Sequence, residues 1–200
     1  MNQEAEAVKR ALDIVGAVAG LAVAAPILAL AACAIKLDDR GPVLFRQVRL
    51  GRGATRFEVL KLRTMTVDAE QLRSDGVVEA GDPRITRVGH FLRRTAIDEL
   101  PQLWHVLTGE MSLVGPRPVP PSHLERYDAT QARRLDVKPG LTGWAQIHGR
   151  ASLPWPERLA LDVHYVDNQS LALDARILAR TAGVLLRRDV VYRGEAGGWR

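Results

Sequence analysis

The sequence predicts an α+β chain, predominantly helical. It has an N-terminal re-entrant membrane helix broken at Pro26, a small β-hairpin and amphipathic interfacial helices. Three observations carry this expectation. An uncharged run of 22 residues extends from Ile14 to Ile35. Pro26 lies near its middle, and basic residues flank both ends. Beyond the run, helically spaced apolar residues predominate, with only one pair of short β-compatible stretches. The 200 residues divide into a membrane helix over 1–40 and a single membrane-associated unit over 41–200.

As a straight helix the apolar run would measure about 33 Å, enough to cross a bilayer core. It is too long for a secretory signal peptide, and no convincing A-x-A-like site precedes the polar chain. Pro26 removes a backbone hydrogen bond and crowds the preceding turn, leaving halves of about 12 and 9 residues, each too short to span. Lys9 and Arg10 stand at one end, and Lys36, Arg40, Arg46 and Arg49 follow the other. The positive-inside bias therefore assigns no orientation. A bent helix that dips into one leaflet and returns accommodates both observations. A single-pass anchor accommodates the hydropathy alone.

Val43–Val48 and Thr55–Leu60 read as a hairpin around Gly51-Arg52-Gly53. Asp68–Arg73 reads as a short helix. Val88, Phe91, Leu92 and Thr95 have helical spacing, which Leu100, Leu103, Trp104 and Leu107 continue as far as Gly109. Pro120-Pro121 opens a helix through about Leu135. An irregular glycine-rich stretch then runs from Pro139 to Arg150, and Pro154–Val166 and Ala172–Arg188 close the chain as helices. The last of these places Ile177, Leu178, Val184 and Leu185 on one face, with Arg176, Arg180, Arg187 and Arg188 elsewhere. That pattern suits an anionic membrane surface, and equally a solvated helix packed on the domain.

The net charge is +5, and only Lys9, Lys36, Lys61 and Lys138 among 28 basic residues are lysine. Arginine's rigid fork of donors matches phosphate, although the same excess arises from a GC-rich genome. Aromatic residues are 5% of the chain, which supplies no stacking platform and speaks against nucleic acid. A single cysteine, Cys33, excludes an internal disulfide and a Cys-based zinc site; it is expected to pack in the membrane segment. The five histidines lack metal-ligand spacing, and His105 reads as packed or surface-exposed. Trp104 reads as core.

Asp98-Glu99 is the sharpest chemical pair. Thr95 and Asp98 have capping-box-like spacing and Pro101 is tolerated early in a helix, so the pair is expected in a first helical turn. Capping alone would explain it. Adjacent carboxylates also permit a division of labour at phosphorus, one attacking while the other holds Mg²⁺. Gly115-Pro116-Arg117-Pro118 stiffens the backbone around one arginine. Lys138–Trp144 with Gly149-Arg150 adds a glycine-rich basic loop whose backbone is open to a ligand.

Read together, Phe45–Gly51, Lys61–Met65, Asp82–Thr86, Leu92–Leu103, Ser112–Pro118 and Lys138–Gln146 with Arg150 resemble, in order, the small monotopic phosphoglycosyl transferases of the bacterial sugar transferase family. The resemblance covers roughly residues 8–165. It implies a re-entrant helix kinked at Pro26, both ends cytoplasmic, at the bacterial inner membrane. Many relatives have Ser before that proline, where this chain has Ala25. It further implies transfer of a phosphosugar from a UDP-sugar to undecaprenyl phosphate, releasing UMP, as the initiating step of glycoconjugate or exopolysaccharide synthesis. Asp98 would be the nucleophile and Glu99 the Mg²⁺ ligand. Arg93, Arg117 and Arg150, assisted by Lys61, would contact phosphates or orient the Asp98-Glu99 pair. The implied partners are the UDP-sugar, undecaprenyl phosphate and membrane phospholipids, with no nucleic acid; a homo-oligomer is compatible with the sequence. Sugar identity is not legible in these motifs. The competing class, an anchored scaffold whose arginines bind anionic lipid, leaves Asp98-Glu99 beside Pro-Arg-Pro unexplained.

Overall fold

The uncharged run lies inside one helix of 36 residues, α1 (Gln3–Asp38). In the computed structural model, residues 1–70, 82–149 and 153–186 are described. Among them α1 is the one helix long and apolar enough to cross a membrane. Pro26 sits within it, and the helix continues on both sides, so the expected interruption into two halves is absent from the secondary structure. A proline leaves only the carbonyl four residues earlier without its donor. The alanine-rich turns around it have high helix propensity and carry the helix past that gap.

Asp13, Ala17, Ala24, Ala31 and Ile35 form the buried stripe of α1, at separations of a helical face. Small residues let it lie close to the body: a Cβ on Gly16 would stand 2.6 Å from Leu113, and one on Gly20 3.1 Å from Leu103. Leu12, Val15, Val18, Val23, Ile27 and Leu30 remain exposed on other faces. Cys33 is also exposed.

Both ends of α1 are tied to the same body. Near the start, Lys9 Nζ donates to Asp174 Oδ2 (2.5 Å) and the Val114 carbonyl (3.2 Å). Asp13 Oδ1 accepts from Ser112 Oγ (3.0 Å) and Leu113 N–H (2.9 Å). At the other end Arg63, itself buried, grips Asp39 through its carboxylate (2.5 Å) and its carbonyl (2.8 Å). Ala31 and Ile35 pack with Leu62 and Leu92.

The hairpin forms from β1 (Leu44–Leu50) and β2 (Arg56–Leu62), antiparallel, with Leu44 opposite Leu62 and Leu50 opposite Arg56. Its turn uses left-handed Gly53 and Ala54. A 3-10 turn at Val67–Glu70 begins where the Asp68–Arg73 helix was expected; residues 71–73 lie outside the described residues. Next come α2 (Arg87–Thr95), a 3-10 segment over Ile97–Gln102 and α3 (Leu103–Thr108), which stops at Gly109 (φ 94°). Trp104 is 52% exposed rather than core, because α3 turns its Leu103 and Val106 side inward.

Two three-residue strands that carry no readable periodicity, β3 (Ser112–Val114) and β4 (Gly140–Thr142), pair in parallel. The expected helix from Pro120 to Leu135 is three pieces: a 3-10 segment Pro121–Arg126, α4 (Ala129–Ala132) and a 3-10 turn Arg133–Leu135. Asp128 divides them, since its side chain caps Gln131 N–H (2.8 Å) and restarts the helix. The glycine-rich stretch contains β4 and α5 (Trp144–Ile147). The chain then forms α6 (Trp155–Asp167) and α7 (Leu171–Leu186). On α7, Asp174 and Ile177 are buried and Leu178 is exposed, so Ile177 and Leu178 do not share a face. Neighbouring residues stand about 100° apart around a helix. Arg187 and Arg188 lie outside the described residues.

Candidate active site

Asp98 and Glu99 occupy the 3-10 segment rather than the first turn of an α-helix. Thr95 is not its cap: its hydroxyl donates back to the carbonyls of Phe91 (2.9 Å) and Leu92 (3.1 Å). The junction is instead Ala96, whose left-handed backbone (φ 56°) ends α2 and turns the chain. An alanine there costs on the order of 1 kcal/mol. Pro101 lies inside the segment and contributes no N–H to it.

Glu99 is the hub. Lys61 Nζ, from β2, donates to Glu99 Oε1 at 2.7 Å. Arg117 reaches it with both terminal nitrogens, Nη2 to Oε1 at 2.5 Å and Nη1 to Oε2 at 3.2 Å. These two cations hold the Glu99 carboxyl well below its ordinary range against the opposing effect of burial. Asp98 has the opposite fate. Burial first, and then the neighbouring Glu99 charge, push its carboxyl up to about 6, while Lys61, Arg93 and Arg117 pull the other way. Two adjacent carboxylates with pKa values driven apart take different roles. Burial lowers Lys61, and Glu99 opposes that change.

Arg93 comes from the last turn of α2 and donates from Nε to Thr64 Oγ1 at 2.7 Å. Gly89 makes this approach attainable, because a Cβ there would stand 2.0 Å from the Thr64 carbonyl oxygen. The strand edge beside Lys61 is met by His105, which the sequence read as packed or surface-exposed. His105 is buried, and its Nε2 accepts the Leu60 N–H at 3.0 Å while Nδ1 lies 2.7 Å from Glu110 Oε2. The ring nitrogen facing an N–H must be the acceptor, so Nδ1 carries the proton.

Two glycines of the glycine-rich loop admit neighbouring backbone. A Cβ on Gly140 would lie 2.0 Å from Gly115 N, and one on Gly143 2.1 Å from the Gly115 oxygen. The backbone they admit is the start of Gly115-Pro116-Arg117-Pro118. Gly140 N–H donates to Pro116 O (2.9 Å) and Gly115 N–H to Thr142 O (2.8 Å), fixing the segment that carries Arg117.

Lys61, Asp98, Glu99, Arg93 and Arg117 thus belong to one electrostatic group. Pro26 belongs to α1 and enters through the fold, not the cluster. Arg150 lies outside the described residues. No three metal-ligating side chains converge among the described residues. The hard oxygens of Asp98 and Glu99 nevertheless suit Mg²⁺, which takes one or two carboxylates and completes its shell with water and substrate phosphate.

Comparison with known proteins identifies the family. The family profile described as bacterial sugar transferase matches residues 4–188, and the chain belongs to that family. A UDP-glucose:undecaprenyl-phosphate glucose-1-phosphate transferase of Caulobacter vibrioides is 48% identical over 196 residues, covering 92% of this chain and 72% of the relative. An undecaprenyl-phosphate galactose phosphotransferase of Salmonella typhimurium is 39% identical, covering 92% of this chain and 41% of the relative. An uncharacterized sugar transferase, EpsL, of Bacillus subtilis is 43% identical across 89% of this chain and 87% of its own length. Against several of its relatives the chain thus spans only about two-fifths of their length.

Proposed function

We propose that this chain is a phosphoglycosyl transferase that moves a phosphosugar from a UDP-sugar to undecaprenyl phosphate at the cytoplasmic face of the bacterial inner membrane. The observation that carries the reading is the split pair: a buried Asp98 whose carboxyl is pushed up to about 6, beside a Glu99 locked by Lys61 and Arg117. An Asp98 carboxylate oxygen attacks the phosphorus that bears the sugar. The bond from that phosphorus to the bridging oxygen breaks, and UMP leaves with the electron pair. The lipid phosphate oxygen then attacks the same phosphorus, the bond to Asp98 breaks, and polyprenyl diphosphosugar is formed.

Arg117, half exposed at its head, and Arg93 meet phosphate oxygens as charge builds, and Lys61 keeps Glu99 anionic and oriented. Arg150 joins them by resemblance alone. Glu99 would hold Mg²⁺, which when bound neutralises diphosphate charge.

The membrane reading rests on α1. Its outer faces are apolar, yet its Lys9–Ala17 and Ala31–Asp39 regions both contact one body. In this reading α1 dips into one leaflet and both its ends stay on one side; the contacts of both ends with the same body support that, although the helix runs unbroken through Pro26. Trp104 and Phe91, exposed on helices packed against α1, supply interfacial aromatic anchors.

The direct test incubates membranes containing the protein with Mg²⁺, a panel of labelled UDP-sugars and undecaprenyl phosphate. UMP and lipid-linked sugar should appear together for at least one donor. Silence across a broad panel overturns the reading.

A further inference from the structure

Arg117 is bracketed by Pro116 and Pro118, which contribute no N–H to hold the segment. Its neighbours are fixed from outside: Pro116 O accepts from Gly140, and Val119 O accepts from Leu50 N–H (2.8 Å). Arg117's own carbonyl is met by a different group, Nη2 of Arg134, at 2.8 Å.

Arg134 is itself buried, with its side chain only 2% exposed. Its guanidinium is fixed before it reaches Arg117. Nε and Nη2 both donate to Asp162 Oδ2, at 2.9 and 2.6 Å, and Nη1 reaches the Tyr127 hydroxyl at 3.3 Å. Asp162, on α6, is equally enclosed, at 4% exposure. A buried ion pair is a poor way to gain stability, because desolvating both charges offsets their attraction and an apolar pair of similar size often serves as well. An apolar pair cannot donate to a carbonyl. What this pair supplies and a Met–Leu pair lacks is hydrogen bonding, to the Tyr127 hydroxyl and to the Arg117 carbonyl, and only the second reaches the candidate site.

We infer that Arg134, held by Asp162, is a positioning residue for the reaction: it fixes the Arg117 backbone so that the Arg117 guanidinium meets Glu99 and substrate phosphate at a set place. The inference rests on the phosphosugar-transfer reading. Arg134 touches neither carboxylate of the pair and acts only through Arg117.

A double-mutant cycle tests it. Arg134→Met combined with Asp162→Leu removes both charges and leaves no unpaired one. The variant is expected to melt within about 5 °C of wild type. Its UMP release at saturating donor should fall about 10- to 100-fold, the scale of a misplaced catalytic contact. In an Arg117→Ala background the same double substitution should change the rate less than about twofold, since the group being positioned is gone. An equal loss in both backgrounds assigns the pair to general structure and overturns the inference.

Should the double variant fail to fold, Arg134→Lys keeps a charge for Asp162 but lacks the fork that serves two acceptors at once, and enters the same cycle. A second readout is independent of turnover. The side-chain Nε–H signal of Arg117, identified in ¹⁵N-arginine-labelled protein by its loss in Arg117→Ala, should move towards the solvent-averaged position in either Arg134 variant. An unmoved signal overturns the inference. Wild-type protein silent on every donor, with this spectral change intact, would instead reject the transfer reading and leave the positioning role standing.

Discussion

At the scale of single residues, the proposed reaction turns on the unequal ionisation of Asp98 and Glu99. The Asp98 carboxyl, raised to about 6, must lose its proton to attack. UMP release under donor-limited conditions should therefore fall tenfold per pH unit below about 6 and level off above it, a profile measurable on the free enzyme. The same shift has a cost in stability. Because the folded pKa stands above the ordinary 3.8, the folded chain binds this proton more tightly than the unfolded chain. The stabilisation from a protonated Asp98 is full below about pH 4 and is lost as pH rises through about 6. Asp98→Asn removes the charge without that loss. At pH 7.5 it should abolish transfer while raising stability by about 1–3 kcal/mol, read by thermal or urea unfolding. A variant less stable than wild type would contradict the origin assigned to the shift.

At the scale of elements, the site is assembled by close backbone contacts rather than by long regular structure. β3 and β4 are three residues each, yet they seat the loop that carries Arg117. Gly140→Ala would place a methyl group 2.0 Å from Gly115 N and 2.4 Å from Thr142 O, so the two segments must part. A loss of about 1–3 kcal/mol in urea unfolding is expected, with a larger fractional fall in UMP release. Gly53→Ala is the control. It meets open space but takes φ 63°, so it should cost about 1 kcal/mol and leave turnover per folded molecule unchanged.

Elements also mark where sequence reading stopped. The hairpin and the end of α3 at Gly109 were legible because alternation and glycine punctuation are local signals. Asp98-Glu99 stood out because two carboxylates are adjacent in the chain. Their partners were chemically suitable in sequence, but Lys61 meets Glu99 across 38 positions and Arg134 meets Asp162 across 28. No spacing rule reaches that far. Thr95 and Asp98 showed the converse: a capping spacing was present, but left-handed Ala96 separated them into different elements. His105 gave only its helical period, and its bond to the Leu60 N–H needed the hairpin edge to be in place.

At the scale of the whole molecule, the apolar surplus and the basic charge belong to one architecture. The basic residues divide by role: Arg63 and Arg10 grip helix ends, Lys61 enters the site, and Arg46 pairs at the surface with Glu58 (3.7 Å). Because one body holds both ends of α1, both should face the same compartment. Cysteines placed at exposed Gln3 and Arg52 in a Cys33→Ala background should be labelled by an impermeant reagent only when the cytoplasmic face is open. Labelling from opposite sides would make α1 a single-pass anchor.

The central claim is that Asp98 carries the sugar phosphate between donor and lipid, and intact-mass analysis tests it most directly. Purified protein is mixed with Mg²⁺ and each UDP-sugar, with no lipid acceptor present. The wild type should gain the mass of one phosphosugar, matched by one equivalent of UMP, and Asp98→Asn should gain none. An adduct that persists in Asp98→Asn would contradict the claim, as would lipid-linked product formed from a donor that never yields an adduct.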